Sequence, residues 1–302
     1  MIMHPAIKLR HIRAFLDIAG QGSLTAAARA QGLTQPALSR TLAELETLLG
    51  TKLFLRQGRR LALSEQGMLF RRHAAAGLAE FEAGAAALRP GGAGTPIRVG
   101  VLPTASTRLF PRIALRFAAL SPGTPLVIAT GPHSYLMQLL REGGIELMLG
   151  RMPAPAEMAG LSFLHLLEDS IVLAARAGHP LAGRPAAEAL TRAPLILPPG
   201  DALIRRPVDL YLASLGLAGL RPAFETVALA VGRGILGGSD ALWFISEGVV
   251  TEELDAGTLI TIPTGARFLS GAVGITRRDA RAPDARLDLL VEIAREMAPK
   301  AG

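Results

Sequence analysis

The sequence predicts a small helical N-terminal domain with a two-stranded β appendage, then one long helix, then a C-terminal α/β domain built in two halves. Three observations carry this expectation. Apolar residues recur at helical spacing over the first 50 positions, and from residue 95 onward short apolar runs alternate with helical patterns. The charge is also uneven. Residues 1–89 hold 12 Lys and Arg against 6 Asp and Glu, the remainder holds 20 against 19, and the 302-residue chain carries +7 in all. A basic segment joined to a neutral one points to a polyanion-binding part attached to a globular domain. Charge alone fits a membrane surface as well as nucleic acid.

The first helix follows from Leu9, Ile12, Phe15, Leu16 and Ala19, and it stops near Gly20-Gln21-Gly22. Ser23 is suited to cap a second helix, LTAAARAQ, whose small alanines permit close packing and which ends at Gly32. The third lies in LTQPALSRTLAELETLLG, where Leu38, Leu42, Leu45 and Leu49 fall at i, i+4, i+7 and i+11 and form one core-facing stripe. Pro36 is tolerable only in a first helical turn, so Thr34 or Gln35 is the cap. The runs Leu53-Phe54-Leu55 and Leu61-Ala62-Leu63 enclose Arg56-Gln57-Gly58-Arg59-Arg60, a hairpin with a basic tip. Three helices and this hairpin make a winged helix-turn-helix over residues 1–64.

Ser64 can cap a long helix over 65–89. Ala74, Leu78, Phe81, Ala85 and Leu88 alternate steps of four and three, a heptad seam that predicts pairing of two copies. The alternative is a helix packed on its own domain. Pro90-Gly91-Gly92-Ala93-Gly94 reads as a hinge, so residues 65–94 are a linker and dimerisation segment.

Strands over 97–102, 125–129 and 145–150, with helices over 108–120 and 134–142, predict a βαβαβ unit of parallel sheet. A second set follows, with strands near 170–175, 224–226, 241–245 and 259–262 and helices near 204–215, 227–236 and 249–255. A last strand over 272–276 and helix over 285–297 can return to the first half. The halves of the domain 95–302 are then about 95–165 with 268–302, and about 166–267.

The third helix presents Gln35, Pro36, Ser39 and Arg40 away from its leucines. A helix in the DNA major groove reads bases chiefly with its N-terminal residues, and Gln suits adenine, Arg suits guanine or phosphate, and Ser suits either. Thr34 and Gln35 open that helix, Ser23 and Thr25 can hold a phosphate at the preceding one, and Arg56, Arg59 and Arg60 can reach flanking phosphates or the minor groove. The competing reading, a merely solvated face, is outweighed by the helix-turn-helix spacing, the wing and the charge skew. The partner expected is double-stranded operator DNA.

Here the chain resembles the LysR-type transcriptional regulators. The resemblance rests on the small-residue second helix, T-Q-P-A-L-S-R at 34–40, L-E-x-x-L-G at 45–50, L-F-x-R at 53–56 and S-x-x-G at 64–67. It extends through the chain, so the α/β halves look like the family's periplasmic-binding-protein-like effector domain. Within the family, GVLPTASTRLFPRI, GRMPAPAEMAGLSFLHL and ILPPGDALIR look most like the protocatechuate-pathway regulators, with the galactose-binding-protein regulators as close rivals. The resemblance implies a homodimer or homotetramer, a small-molecule effector, and contact with RNA polymerase.

Ligands of such a domain bind between its halves, at strand ends and helix starts. Pro103-Thr104-Ala105-Ser106-Thr107 and Thr130-Gly131-Pro132-His133-Ser134 are polar helix starts suited to an anion, and Arg151 ends the third strand. The resemblance implies that Thr104, His133 and Arg151 occupy effector-contacting positions. The opposite wall is expected from Pro198-Pro199-Gly200-Asp201 and from Ile245-Ser246. The competing readings are that Thr104 and Ser106 only cap a helix, that Arg151 pairs with Glu146, Glu157 or the hinge, and that His133 is a solvated loop residue, departing from the threonine or serine common there. If His133 lines the cleft, its charge makes effector binding pH-dependent.

Cysteine is absent, so there is no disulfide or thiol chemistry. No H-E-x-x-H, G-x-S-x-G or P-loop occurs, and Gly232-Arg233-Gly234 opens no G-x-G-x-x-G. The expectation is no enzyme, no metal and no cofactor. No apolar run suits a signal peptide or a membrane span, so the expectation is a soluble cytoplasmic protein.

Overall fold

The computed structural model describes residues 5–57, 60–87, 95–279 and 284–298, and the chain divides near residue 95 into two compact units. The first contains α1 (Leu9–Gln21), α2 (Leu24–Ala30), α3 (Gln35–Leu49), β1 (Phe54–Gln57), β2 (Arg60–Leu63) and α4 (Glu65–Ala87). Gly22 and Gly50 end α1 and α3 in the left-handed conformation, with φ of 62° and 68°, where a Cβ is disfavoured. β1 and β2 pair antiparallel from Phe54↔Leu63 to Gln57↔Arg60. Phe15, Ile18, Leu38, Leu45 and Leu53 fill the core, and the ring of Phe15 lies 5.5 Å from that of Phe54 and 5.1 Å from that of Phe70. Each such buried side chain stabilises by about 1.5–3 kcal/mol, enough in sum to fix three short helices that would fray alone.

One seam expectation needs correction. Ala74 is buried in this same core and faces its own domain. The reason is that α4 packs on α1 over its first half, bringing Phe70 and Ala74 inward on the same face. Leu78 is half-buried, while Phe81 (70 % exposed) and Ala85 face outward. Leu88 and the segment Pro90–Gly94 lie outside the described residues.

The second unit begins with β3 (Ile97–Val101), a single-turn α5 (Pro103–Ser106), α6 (Leu109–Leu120), β4 (Leu126–Thr130), α7 (His133–Glu142) and β5 (Leu147–Arg151). A 3₁₀ turn at Pro155–Glu157 leads into β6 (Leu161–Arg176). Then come α8 (Ala186–Arg192), β7 (Leu195–Leu197), α9 (Arg205–Ser214), β8 (Phe224–Glu225), α10 (Leu229–Gly238) and β9 (Leu242–Ser246). The unit closes with α11 (Glu247–Asp255), β10 (Leu259–Ile262), β11 (Ser270–Arg278) and α12 (Ala285–Met297).

The strand order is β4-β3-β5-β11-β6-β9-β7-β8, with β10 paired to β6. β4, β3 and β5 are parallel, as a βαβαβ unit requires, whereas β11 is antiparallel to both β5 and β6. β6 links the two halves. Leu161–Ser170 pairs with β11, while Ile171–Ala174 pairs with β9. The strand expected at 170–175 is therefore only the end of a 16-residue strand.

The first half is layered. Val99, Val101, Leu147 and Leu149 face Phe110, Ile113 and Phe117 of α6 and Leu290 and Ile293 of α12. Met148, between two of them, faces Leu136 and Leu140 of α7 on the other side. The second half has its own core around Leu173, Trp243 and Phe244, covered by Val208 and Leu212 of α9 and Val249 of α11. β11 and α12 thus return to the first half. Among the described residues, no helix is long and apolar enough to cross a membrane.

Candidate functional site

Two surfaces carry chemistry, and the first is the start of α3. Thr34 is the cap: its backbone is extended, and its Oγ1 accepts from Ala37 N at 3.4 Å. Pro36 sits in the first turn, where its missing N–H leaves no bond unmade. Leu38, Leu42 and Leu45 are buried, which turns Gln35, Pro36 and Arg40 fully outward and leaves Ser39 half-buried. Ser23 Oγ accepts from Ala26 N at 3.4 Å and caps α2, so its O–H remains able to donate to a phosphate. Thr25 is exposed beside it. Arg56 and Arg60 lie on β1 and β2, and Arg59 lies outside the described residues.

A residue that sequence reasoning passed over holds this surface in shape. Glu46 of α3 is buried, and its Oε1 accepts from Leu53 N (2.9 Å) and Phe54 N (3.4 Å) while Oε2 meets Lys52 Nζ at 2.6 Å. One carboxylate therefore fixes where the hairpin leaves α3. Its signal was the glutamate of L-E-x-x-L-G, on the half of α3 that should face inward. Ser64 makes the next joint, donating to Lys52 O at 2.7 Å and accepting from Gly67 N at 2.9 Å.

The second surface is a cavity between the halves of the second unit. Thr104, His133 and Arg151 line one wall, and Pro199, Asp201 and Ser246 line the other. Leu102, Ile204, Val227 and Val249 make the remainder apolar. Two expected residues fall elsewhere. Ser106 Oγ donates to Pro103 O at 3.0 Å and borders an adjoining depression. Ser134 is exposed and turned away, because α7 begins at His133 and places the next residue about 100° round the helix axis.

Arg151 has a partner the sequence did not name. Its Nη2 donates to Asp169 Oδ2 at 2.7 Å, to Asp169 O at 3.2 Å and to Ser246 Oγ at 3.2 Å. Neither Glu146 nor Glu157 is involved: Glu146 binds Arg98, and Glu157 binds His133. Asp169 Oδ1 in turn accepts from Gly248 N at 3.0 Å, and Thr104 Oγ1 lies 3.4 Å from Ser246 Oγ. These bonds join β5 and α5 of the first half to β9 and α11 of the second, through β6. Burial pushes the Asp169 carboxyl up and the Arg151 guanidinium down, each resisted by the other's charge. A buried pair of this kind specifies geometry more than it stabilises, and losing one partner strands the other. Asp169 escaped notice because Leu166-Leu167-Glu168-Asp169 hides the alternation of a strand.

His133 is also held. Its Nε2 lies 3.2 Å from both Oε1 and Oε2 of Glu157, while its buried Nδ1 has no partner. It is not a solvated loop residue. Among the described residues, no cluster of His, Asp and Glu could hold a metal ion.

Similarity to known proteins extends over nearly the whole chain. Residues 9–68 match the family described as "Bacterial regulatory helix-turn-helix protein, lysR family", and residues 90–299 match "LysR substrate binding domain". The chain is 38 % identical over 296 residues to the HTH-type transcriptional regulator PcaQ of Agrobacterium fabrum, covering 97 % of this chain and 95 % of that protein. It is 30 % identical over 273 residues to the HTH-type transcriptional regulator GalR of Pseudomonas putida, covering 89 % and 68 %. Among solved structures, a full-length OxyR variant from Pseudomonas aeruginosa superposes with a TM-score of 0.65 at 20 % identity, covering 97 % of this chain and 99 % of that one. The LysR family regulator CbnR, also solved in complex with its target DNA, superposes with a TM-score of 0.63 at 18 % identity, covering 97 % and 100 %.

Proposed function

The chain belongs to the LysR family of transcriptional regulators, and from that premise we propose that it senses a small anionic metabolite, an acid of aromatic catabolism, and controls a catabolic operon. The pathway reading is carried by one observation, the 38 % identity to PcaQ across nearly the full length of both chains. The DNA-binding half is supported by the outward Gln35, Pro36 and Arg40 on a capped helix. Two copies pair along α4 and present two such helices to a roughly palindromic operator in the cytoplasm, and two pairs make the tetramer that contacts RNA polymerase. The effector half is supported by the cavity between Thr104, His133 and Arg151 and the opposite wall. A ligand there touches both halves of the domain, so it can favour one arrangement of them and shift operator bending.

A second reading has an observation of its own. Arg151 is already neutralised by Asp169, which suits an uncharged ligand such as a sugar. Titrating protocatechuate, benzoate, muconate and galactose against the bend angle of operator DNA separates the two readings. A bend that moves with the acids and not the sugar supports the first. Thr104→Val is the cleaner variant, because removing Arg151 also strands Asp169. It is expected to weaken the acid response and to leave basal operator binding unchanged.

A further inference from the structure

We propose that the effector straddles two chambers, its carboxylate in the inner cavity and its body outside, and that Arg205 is the positioning residue that sets the throat between them. The inference rests on reading the cleft as an effector site, and deepens it by naming how a ligand is oriented and selected there.

Volume sets the first constraint. The inner cavity, lined by Thr104, Arg151 and Ser246 among others, measures about 80 Å³. A cavity of roughly 150 Å³ takes a benzene ring, so this one takes a carboxylate and not the ring that carries it. The adjoining depression measures about 500 Å³ and has room for a ring. Among the described residues, no Lys or Arg lines that depression, whereas Arg151 lines the inner cavity, so the negative end of a ligand points inward. The two chambers share Pro103, Gly131 and Pro132 of the first half and Pro199 and Val227 of the second, and these residues form the throat.

Arg205 is the first residue of α9 and lines neither chamber. Its Nη1 donates to Pro198 O at 2.8 Å and to Glu225 Oε1 at 2.8 Å, while its Nε donates to Asp209 Oδ1 at 2.8 Å. Pro198 directly precedes Pro199, and Glu225 of β8 stands just before Thr226 and Val227. One nitrogen therefore ties together the two segments that carry the second half's share of the throat, and Asp209 anchors it to α9. A cation in the first turn of a helix opposes the helix dipole, and here the two carboxylates offset that cost. The planar guanidinium reaches all three acceptors from one rigid fork, which a flexible ammonium does not reproduce. Pro103, Pro132 and Pro199 resist backbone adjustment, so the width of the throat depends on how their segments are held.

Isothermal titration calorimetry of the full-length protein tests the proposal, with benzoate, 2-methylbenzoate and 4-methylbenzoate as probes. The last two differ only in where the methyl sits: beside the carboxylate it meets the throat, and across the ring it lies in the outer depression. The unaltered protein should prefer the 4-isomer by about tenfold, the scale of one misfitted methyl group in a pocket. Arg205→Ala and Glu225→Ala should each erase most of that preference, whereas Glu225→Gln, which keeps an acceptor for Nη1, should retain it. Emission from Trp243, the one tryptophan of the chain and buried in the core of the second half, should be unchanged in all three variants. If Arg205→Ala disturbs that emission, the two Glu225 variants decide. Equal binding of the isomers by the unaltered protein overturns the straddling arrangement. A preference that survives in every folded alanine variant, even with a lowered melting temperature, overturns the role of Arg205. Binding of none of the three acids overturns the effector reading and this inference with it.

Discussion

At the scale of single residues, Glu46 shows how a side chain far from the ligands of either surface governs one of them. It belongs to the recognition helix, but its carboxylate holds the backbone N–H groups of Leu53 and Phe54 and the ammonium of Lys52. Without it, two buried donors lose their acceptor, and each orphaned donor costs about 1–3 kcal/mol. Glu46→Ala should lower stability by at least one such increment in urea denaturation followed by circular dichroism. Glu46→Gln keeps an acceptor for Leu53 and should lose less. An alanine variant as stable as the unaltered protein would mean that water replaces the carboxylate and that the wing does not depend on it. The same logic separates Thr104 from Arg151 in the cleft. Thr104 can be changed without stranding a charge, and Arg151 cannot.

At the scale of elements, joints between helices and strands matter more than the elements themselves. Gly67 opens α4 where a Cβ would lie 2.0 Å from the backbone oxygen of Leu53, closer than any relaxation of a flexible side chain could relieve. This explains the glycine of S-x-x-G physically. Gly67→Ala should shift α4 away from the start of β1, lowering the thermal midpoint and weakening operator binding, whereas Gly77→Ala, with open space at its Cβ, should be neutral or stabilising. Equal melting of the two variants would refute the close-approach argument. α12 offers a pH test. Burial alone would push the Asp284 carboxyl up, but hydrogen bonds from the Arg286 side chain and backbone outweigh it and hold the carboxyl below its usual value. A lowered carboxylate stabilises the fold above its unfolded pKa, and that contribution is lost as pH falls through the folded one. Thermal melts from pH 7 to pH 2.5 should therefore show Asp284→Asn less stable near neutrality and converging with the unaltered protein below about pH 4. A constant gap across that range would assign the effect to capping geometry instead.

Much of this was legible beforehand, and the reasons for the rest are local. Helices with a clean stripe and a cap, such as α3 and α12, appear where their periodicity placed them. The first half of β6 is hard to see because Leu167, directly after Leu166, breaks the alternation that Leu164 and Leu166 begin toward the first core. α8 and β7, with seven and three residues, are too short for a period to show in the sequence. In the cleft, helix starts and strand ends marked Thr104, His133 and Arg151. Their partners Glu157 and Asp169 come from a turn and a crossing strand, and nothing in the spacing of a linear chain ties them to the residues they hold.

At the scale of the whole molecule, the seam along α4 divides its residues between two tasks. Ala74 is buried in the core of its own domain, whereas Phe81, seven positions later, is 70 % exposed and Ala85 is exposed beyond it. A heptad pattern thus begins as an intramolecular contact and continues as an unpartnered apolar face. Covering one phenylalanine is worth about 1.5–3 kcal/mol, and a two-fold pairing counts it twice. Phe81→Glu should therefore separate the copies by bringing two carboxylates together where two rings would meet, and light scattering would read a lower mass. Operator affinity should fall with it, because two recognition helices bind a two-fold site only when joined. Acid binding in the cleft should persist, since every residue lining it belongs to the second unit of one chain. Ala74→Glu makes a different prediction: it buries a charge in the first unit, so that unit should melt at a lower temperature, while below its midpoint, with α4 still folded, the mass is unchanged. If Phe81→Glu retains its mass and its operator affinity, pairing does not use this face, and the seam of α4 is an internal contact alone.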